Sequence, residues 1–310
     1  MGFTTRIIYE GNGEGDFPMN LIRIQGMCFG VVCFLSLLAS AFLPPINQQA
    51  ELIFVAALII ILGVPHGALD TLFARELYGV NSWIAWLKFS VIYLFMAGLV
   101  VGLWYGSPLL FLIGFIGISI AHFSGDPEGE VPWWVRLIYG GAIIFIPSLK
   151  HSNAIADLFS LLVGSSASAL LMPWMKALAL PWLVAFVAVV LYLIIKKSPL
   201  SFEFLGLGLI AYFVSPLISF TIFFCGMHSA RHIIRTANFA RYSQPVLLLG
   251  AMFLPMLGVI ALSTLSWFLL KNQTLDSRVV QIVFVGLAAL TVPHMALVEQ
   301  VRLKGWIRGS

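Results

Sequence analysis

Charge is scarce in this sequence: Asp, Glu, Lys and Arg together make up 10% of its 310 residues, against 60% hydrophobic residues and a mean hydropathy of +1.00. A soluble globular chain, in which about a quarter of the residues are charged, is thereby excluded. Long polar stretches are lacking too, so no separate soluble domain is expected beside the apolar runs. Cysteine is limited to Cys28 and Cys33 in the first apolar run and Cys225 in a later one, which excludes a disulfide framework and a CxxC metal motif. The net charge of +4 is spread between apolar runs rather than gathered on a patch, so nucleic acid is not an expected partner. Alternating apolar and polar residues, the mark of a membrane β-barrel, are missing as well, and only helices remain as spanning elements. The first 20 residues carry Glu10, Glu14 and Asp16, unlike the basic start of a cleaved signal peptide, and residues 24–43 read as a retained first span.

What is present is a series of apolar runs separated by stretches such as PPINQ, YGSP, GDPEGEVP and KNQTLDS. They predict an all-α, polytopic membrane helix bundle with about ten segments (eight to ten), at 21–43, 51–77, 82–104, 108–124, 132–149, 169–195, 203–214, 217–240, 246–270 and 278–300, plus an interfacial helix at 155–165. The seventh is short, and 199–225 could instead form one span kinked at Pro216. Ten spans leave only Lys150, Lys176, Lys271 and Arg278 of the 17 basic residues on the outer side, whereas nine divide them 9 against 8. The positive-inside rule therefore favours ten spans with both termini cytoplasmic. Trp104, Trp133, Trp134, Trp174 and Trp182 are expected in an aromatic belt. The resulting division is a polar segment at 1–20, one transmembrane catalytic domain at 21–300 and a basic tail at 301–310, in an integral, multi-pass protein of the cell membrane.

Five of the six histidines lie inside expected spans: His66, His122, His228, His232 and His294. They fall 15, 14, 11, 15 and 16 residues from their segment starts, roughly 17 to 24 Å along each helix. All four segments run the same way, so the five imidazoles share one depth. A single intramembrane histidine can be explained by a hydrogen bond to a neighbouring helix. An H-x3-H pair, His228 and His232, together with three more at matched depth, points to a metal instead. Imidazole suits iron, copper, zinc or nickel. Four neutral ligands would leave the charge of a divalent ion uncancelled and a position free for a small molecule such as dioxygen. Asp70 and Asp126 each follow a histidine by four residues, and on a helix each would lie over that histidine and orient its ring. For Asp126, beside PEGE, a simple interfacial place is an equal reading. VPHMAL at 292–297 repeats VPHGAL at 64–69, each with a proline that would kink the helix before its histidine. His294 is thus a fifth candidate, as ligand or as a polar group beside the open position. His151, next to Lys150 at a span end, reads as interfacial.

GVPHGALD, HFSGD, PSLKHSNAIADLF and HSARH, in that order, resemble the bacteriorhodopsin-related-protein-like family of membrane β-carotene 15,15′-dioxygenases over residues 51–300, approximately. The resemblance implies cleavage of the central double bond of β-carotene by dioxygen to two molecules of retinal, with Fe(II) held by His66, His122, His228 and His232. It leaves His294 as an active-site residue, with Asp70, and makes a retinal-binding rhodopsin one candidate acceptor of product. Thr71 stands where some relatives carry a histidine. A substrate that is wholly apolar and about as long as the bilayer core is thick must enter from lipid. Three other readings compete: a di-iron desaturase or hydroxylase, which resembles its kin in carrying about eight histidines in clustered boxes; a b-type haem protein using His66 and His122; and a retinoid or proton-coupled transporter.

Overall fold

A computed structural model describes residues 17–44, 46–239 and 245–303. The polar segment up to residue 16 and the basic tail from 304 onward lie outside the described residues. The described chain is helical throughout: α1 (Phe17–Phe42), α2 (Gln48–Leu58), α3 (Pro65–Ala68), α4 (Asp70–Tyr78), α5 (Trp83–Gly106), α6 (Pro108–Phe123), α7 (Trp133–Phe145), α8 (Ser152–Val163), α9 (Ser165–Ile195), α10 (Leu200–Phe213), α11 (Pro216–Thr221), α12 (Ala230–Phe239), α13 (Pro245–Leu269) and α14 (Leu275–Leu303). Each of the ten expected segments is found as helix, and the extra segment near 155–165 is α8. Among the described residues, seven stretches are long and apolar enough to cross a membrane, while α6, α8, α10 and the α7 stretch are shorter.

Local chemistry explains the breaks. Asn47 accepts from the backbone N–H of Gln49 and Ala50 at the start of α2, Ser82 accepts from Ala85 at the start of α5, and Pro108 and Pro216 open α6 and α11, where a missing N–H costs nothing. Gly79 ends α4 at φ +61°, a left-handed conformation that suits glycine. The stretch 199–225 is two helices, because Val214 takes an extended backbone between α10 and Pro216. Packing is inside-out by soluble standards: α5 and α13 expose Leu, Ile and Phe along most of their length, as lipid-facing helices do. Close approach occurs between α1 and α10, where a Cβ on Gly206 would meet Gly30 Cα at 3.5 Å and Cys33 Cβ at 3.3 Å. Cys33 is accordingly buried inside the bundle, whereas Cys28 is exposed.

Two of the tryptophans expected in an aromatic belt, Trp104 and Trp182, are half-buried, and their indole N–H groups donate to the carbonyls of Leu162 and Ile138, each at 2.9 Å. An indole donor needs a partner when no water is near, and a neighbouring helix supplies it.

The two VPH copies fold differently. Before His66 the chain widens into a π-helical turn (Ile59–Gly63) and breaks again at Leu69; around His294, α14 runs on through Pro293. A second π-helical stretch, Ile222–Ser229, carries His228 into α12. Two π segments facing one another across a bundle are rare, and such segments gather at functional sites.

Candidate metal centre

All five intramembrane histidines meet. His66, on α3, has ring-centroid distances of 5.0 Å to His228, 5.3 Å to His232 and 5.2 Å to His294. His122, at the end of α6, lies 4.4 Å from His228 and 5.2 Å from His294, and His232 lies 4.8 Å from His294. The H-x3-H pair itself is wider, 6.4 Å. Ring nitrogens of His66, His122 and His294 come within 4.8 Å of one another. His294 is therefore drawn into the cluster itself rather than standing to one side.

Four of the rings are held from behind through Nδ1. Asp126 lies 2.9 Å from His228 Nδ1, and Asp70 lies 2.7 Å from His294 Nδ1. The Gly63 carbonyl, left without its ordinary helical partner by the π turn, lies 2.6 Å from His66 Nδ1, with the Ser229 hydroxyl at 3.0 Å. Thr236 stands 3.2 Å from His232 Nδ1 and donates to the His232 carbonyl. A carboxylate or carbonyl can only accept, so the Nδ1 facing it carries the proton and Nε2 keeps its lone pair. The Nε2 atoms of His228 and His294 are buried and find no hydrogen-bond partner among the described residues. A buried lone pair left this way is costly in an apolar interior and is what a bound metal satisfies.

The carboxylates differ from expectation. On an unbroken helix Asp70 would serve His66 and Asp126 would serve His122; instead each serves a histidine from a distant segment, separated by 224 and 102 residues. The break at Leu69 turns Asp70 toward α14, and Asp126 lies beyond the end of α6 on a turn that faces α12. Sequence reasoning also missed Tyr93, whose hydroxyl donates to the other oxygen of Asp70 at 2.8 Å, and the pair Arg231 and Glu203. Arg231 is wholly buried, clasps Glu203 through two nitrogens at 3.0 and 2.8 Å, and donates to the Asp126 carbonyl at 3.1 Å. Arg235, one turn on, donates to the carbonyls of Gly125 and Asp126, both at 2.9 Å, and pairs with Glu128. Two arginines on the histidine helix thus pin the turn that presents Asp126. An ionisable residue in an apolar run, as Glu203 is in SFEFLGLGLI, was the available signal. Tyr93 had none.

A cavity of about 560 Å³ opens onto His66, His122 and His294. Phe115, Phe220 and Phe224 form its inner wall, and α5 and α13, the least buried of the long apolar helices described, form its outer one. Thr71 lines it and donates weakly to the Ala68 and Ala251 carbonyls, joining α4 to α13. His151 lies outside the cluster, at the start of α8.

A bundle of long apolar helices with imidazoles converging beside an apolar cavity is the arrangement of a histidine-rich membrane protein able to hold a metal next to an apolar ligand. The chain belongs to the β-carotene 15,15′-dioxygenase family, whose model matches residues 57–302. It is 31% identical over 261 residues to the β-carotene 15,15′-dioxygenase of the uncultured marine bacterium 66A03, covering 78% of this chain and 91% of that one. It is 26% identical over 300 residues to the probable β-carotene 15,15′-dioxygenase Blh of Halobacterium salinarum, covering 83% of this chain and 85% of that one. No solved structure matches. Membership selects the carotenoid oxygenase over the desaturase, haem and transporter readings.

Exchange of Asp126 for Asn is expected to weaken metal retention about 10- to 100-fold, because an amide can present its own N–H to His228 and flip the tautomer. Metal per protein across a chelator series measures it; retention equal to the parent protein would show that the carboxylate does not set the ring.

Proposed function

We propose that this protein is an iron-dependent enzyme of the cell membrane that cleaves the central C15–C15′ double bond of all-trans-β-carotene with O2 to give two molecules of retinal. One C=C bond breaks, two C=O bonds form, and both oxygen atoms of O2 enter product. The observation that carries the reading is the pair of buried, unpartnered Nε2 atoms beside a large apolar cavity.

His66, His122, His228 and His232 would hold the iron, with His294 as a fifth imidazole. Bound iron supplies the redox chemistry that lets dioxygen react with an alkene. The protein's residues do the rest. Asp70 and Asp126 fix ring orientation, and their two negative charges oppose those of a divalent ion; Arg231 with Glu203 and Arg235 with Glu128 cancel each other nearby. That supplies the charge balance that histidines alone would lack. The apolar walls exclude water and admit a hydrocarbon, and the position of α5 and α13 supports entry sideways from lipid.

Expression in cells that accumulate β-carotene tests the reading. Bleaching of the pigment with two equivalents of retinal per β-carotene consumed, dependent on O2, is expected. Unchanged pigment without retinal sinks it.

A further inference from the structure

A second cavity, about 120 Å³, lies against the first and shares Phe115, Ser119, Phe123 and Phe220 with it. It carries no charged residue, and no role in holding the metal falls to it. We propose that this cavity is the binding arm for one end ring of the carotenoid, and so sets where along the polyene the cut falls. The proposal rests on the β-carotene reading.

A substrate that is symmetric about its reacting bond must extend equally far on both sides of the centre that cuts it. The histidine-lined cavity offers one direction, toward Tyr93, Phe89 and Trp86 on α5. The second cavity offers the other, running back along α6 from Ser119 past Ile116 to Leu112. Leu112 is ten residues before His122, or about 15 Å along the helix, which is half of a molecule as long as the ~30 Å hydrocarbon core. Leu158 and Leu162 of α8 line this arm as well, and α8 is tied down by Trp104 donating to the Leu162 carbonyl and Gln281 donating to the Leu161 carbonyl, each at 2.9 Å. A wall held in place this way turns an apolar slot of that length into a ruler. Phe220, stacked on Phe224 with ring centroids 5.5 Å apart, stands at the junction of the two cavities, and Phe224 in turn stacks on His228.

The test compares two substrates in the purified, iron-loaded enzyme. Leu158→Trp fills the arm far from the histidines. Cleavage of β-carotene should fall at least about tenfold, whereas a truncated apocarotenal that keeps one ring and the 15,15′ bond but has a shorter far side should be cleaved within about twofold of the parent rate. Bound iron should be unchanged. Ile116→Trp, filling the same arm from α6, should reproduce that selectivity and guards against a folding artefact in either variant. Equal losses on both substrates, or undiminished β-carotene cleavage in both variants, overturns the proposal. Absence of retinal from the parent enzyme with either substrate would instead defeat the underlying reading, and the two failures are therefore distinguishable.

Discussion

On the proposed iron-dependent reading, replacing His66 by alanine is expected to end retinal formation and to strip bound iron, with a loss beyond the roughly 100-fold ceiling typical of residues that only orient a ligand. The reason is position. Its ring faces those of His228, His232 and His294 at 5.0 to 5.3 Å, and it lines the cavity as well. The Gly63 carbonyl, freed by the π turn, fixes its orientation from behind. Iron per protein by elemental analysis and retinal by chromatography, measured on the same preparation, check this. His151→Ala, which alters a histidine outside the cluster, should leave both unchanged. Iron retained in His66→Ala with activity within about tenfold of the parent would remove His66 from the ligand set.

Glu203→Leu is expected to cost about 3–5 kcal/mol of stability, because it leaves the Arg231 guanidinium buried without its counter-charge. Arg231 is wholly enclosed, with Gln25 and the Asp126 carbonyl as its other partners, and the Asp126 carboxylate is already engaged by His228 Nδ1. Removing both charges in Glu203→Leu/Arg231→Met should recover most of that stability, since paired apolar groups of similar volume replace a desolvated ion pair at little net cost. Denaturant unfolding in detergent reads both. A single variant within about 1 kcal/mol of the parent would mean that water or lipid headgroups reach the pair. The double variant should still hold iron less well, because Arg231 also pins the turn that presents Asp126.

Much of the site was legible because its signals are local. A histidine in an apolar run is conspicuous, and helical rise converts spacing into depth, so His66, His122, His228, His232 and His294 could be grouped before any fold was known. Partner assignment failed for the opposite reason. It assumed that HGALD and HFSGD continue as regular helix, and in both places the helix stops between histidine and aspartate. Leu69 and the turn at 124–126 rotate Asp70 and Asp126 away from their own histidines and toward those of α14 and the π segment before α12. The π turns were not foreseen either: Pro65 signalled a kink before His66, but not its π form.

Composition by itself determined the solvent: with 10% charge and runs of about twenty apolar residues, backbone polar groups must be satisfied within helices, and the fold class follows. The spacing of five histidines along those runs was enough to group their imidazoles. Only tertiary structure decided which carboxylate braces which ring, that His294 joins the cluster, and that Tyr93, Glu203 and Arg231 stand behind it. These depend on contacts between residues up to 224 positions apart, and side chains that distant are brought together by how helices end and cross, which no local period encodes.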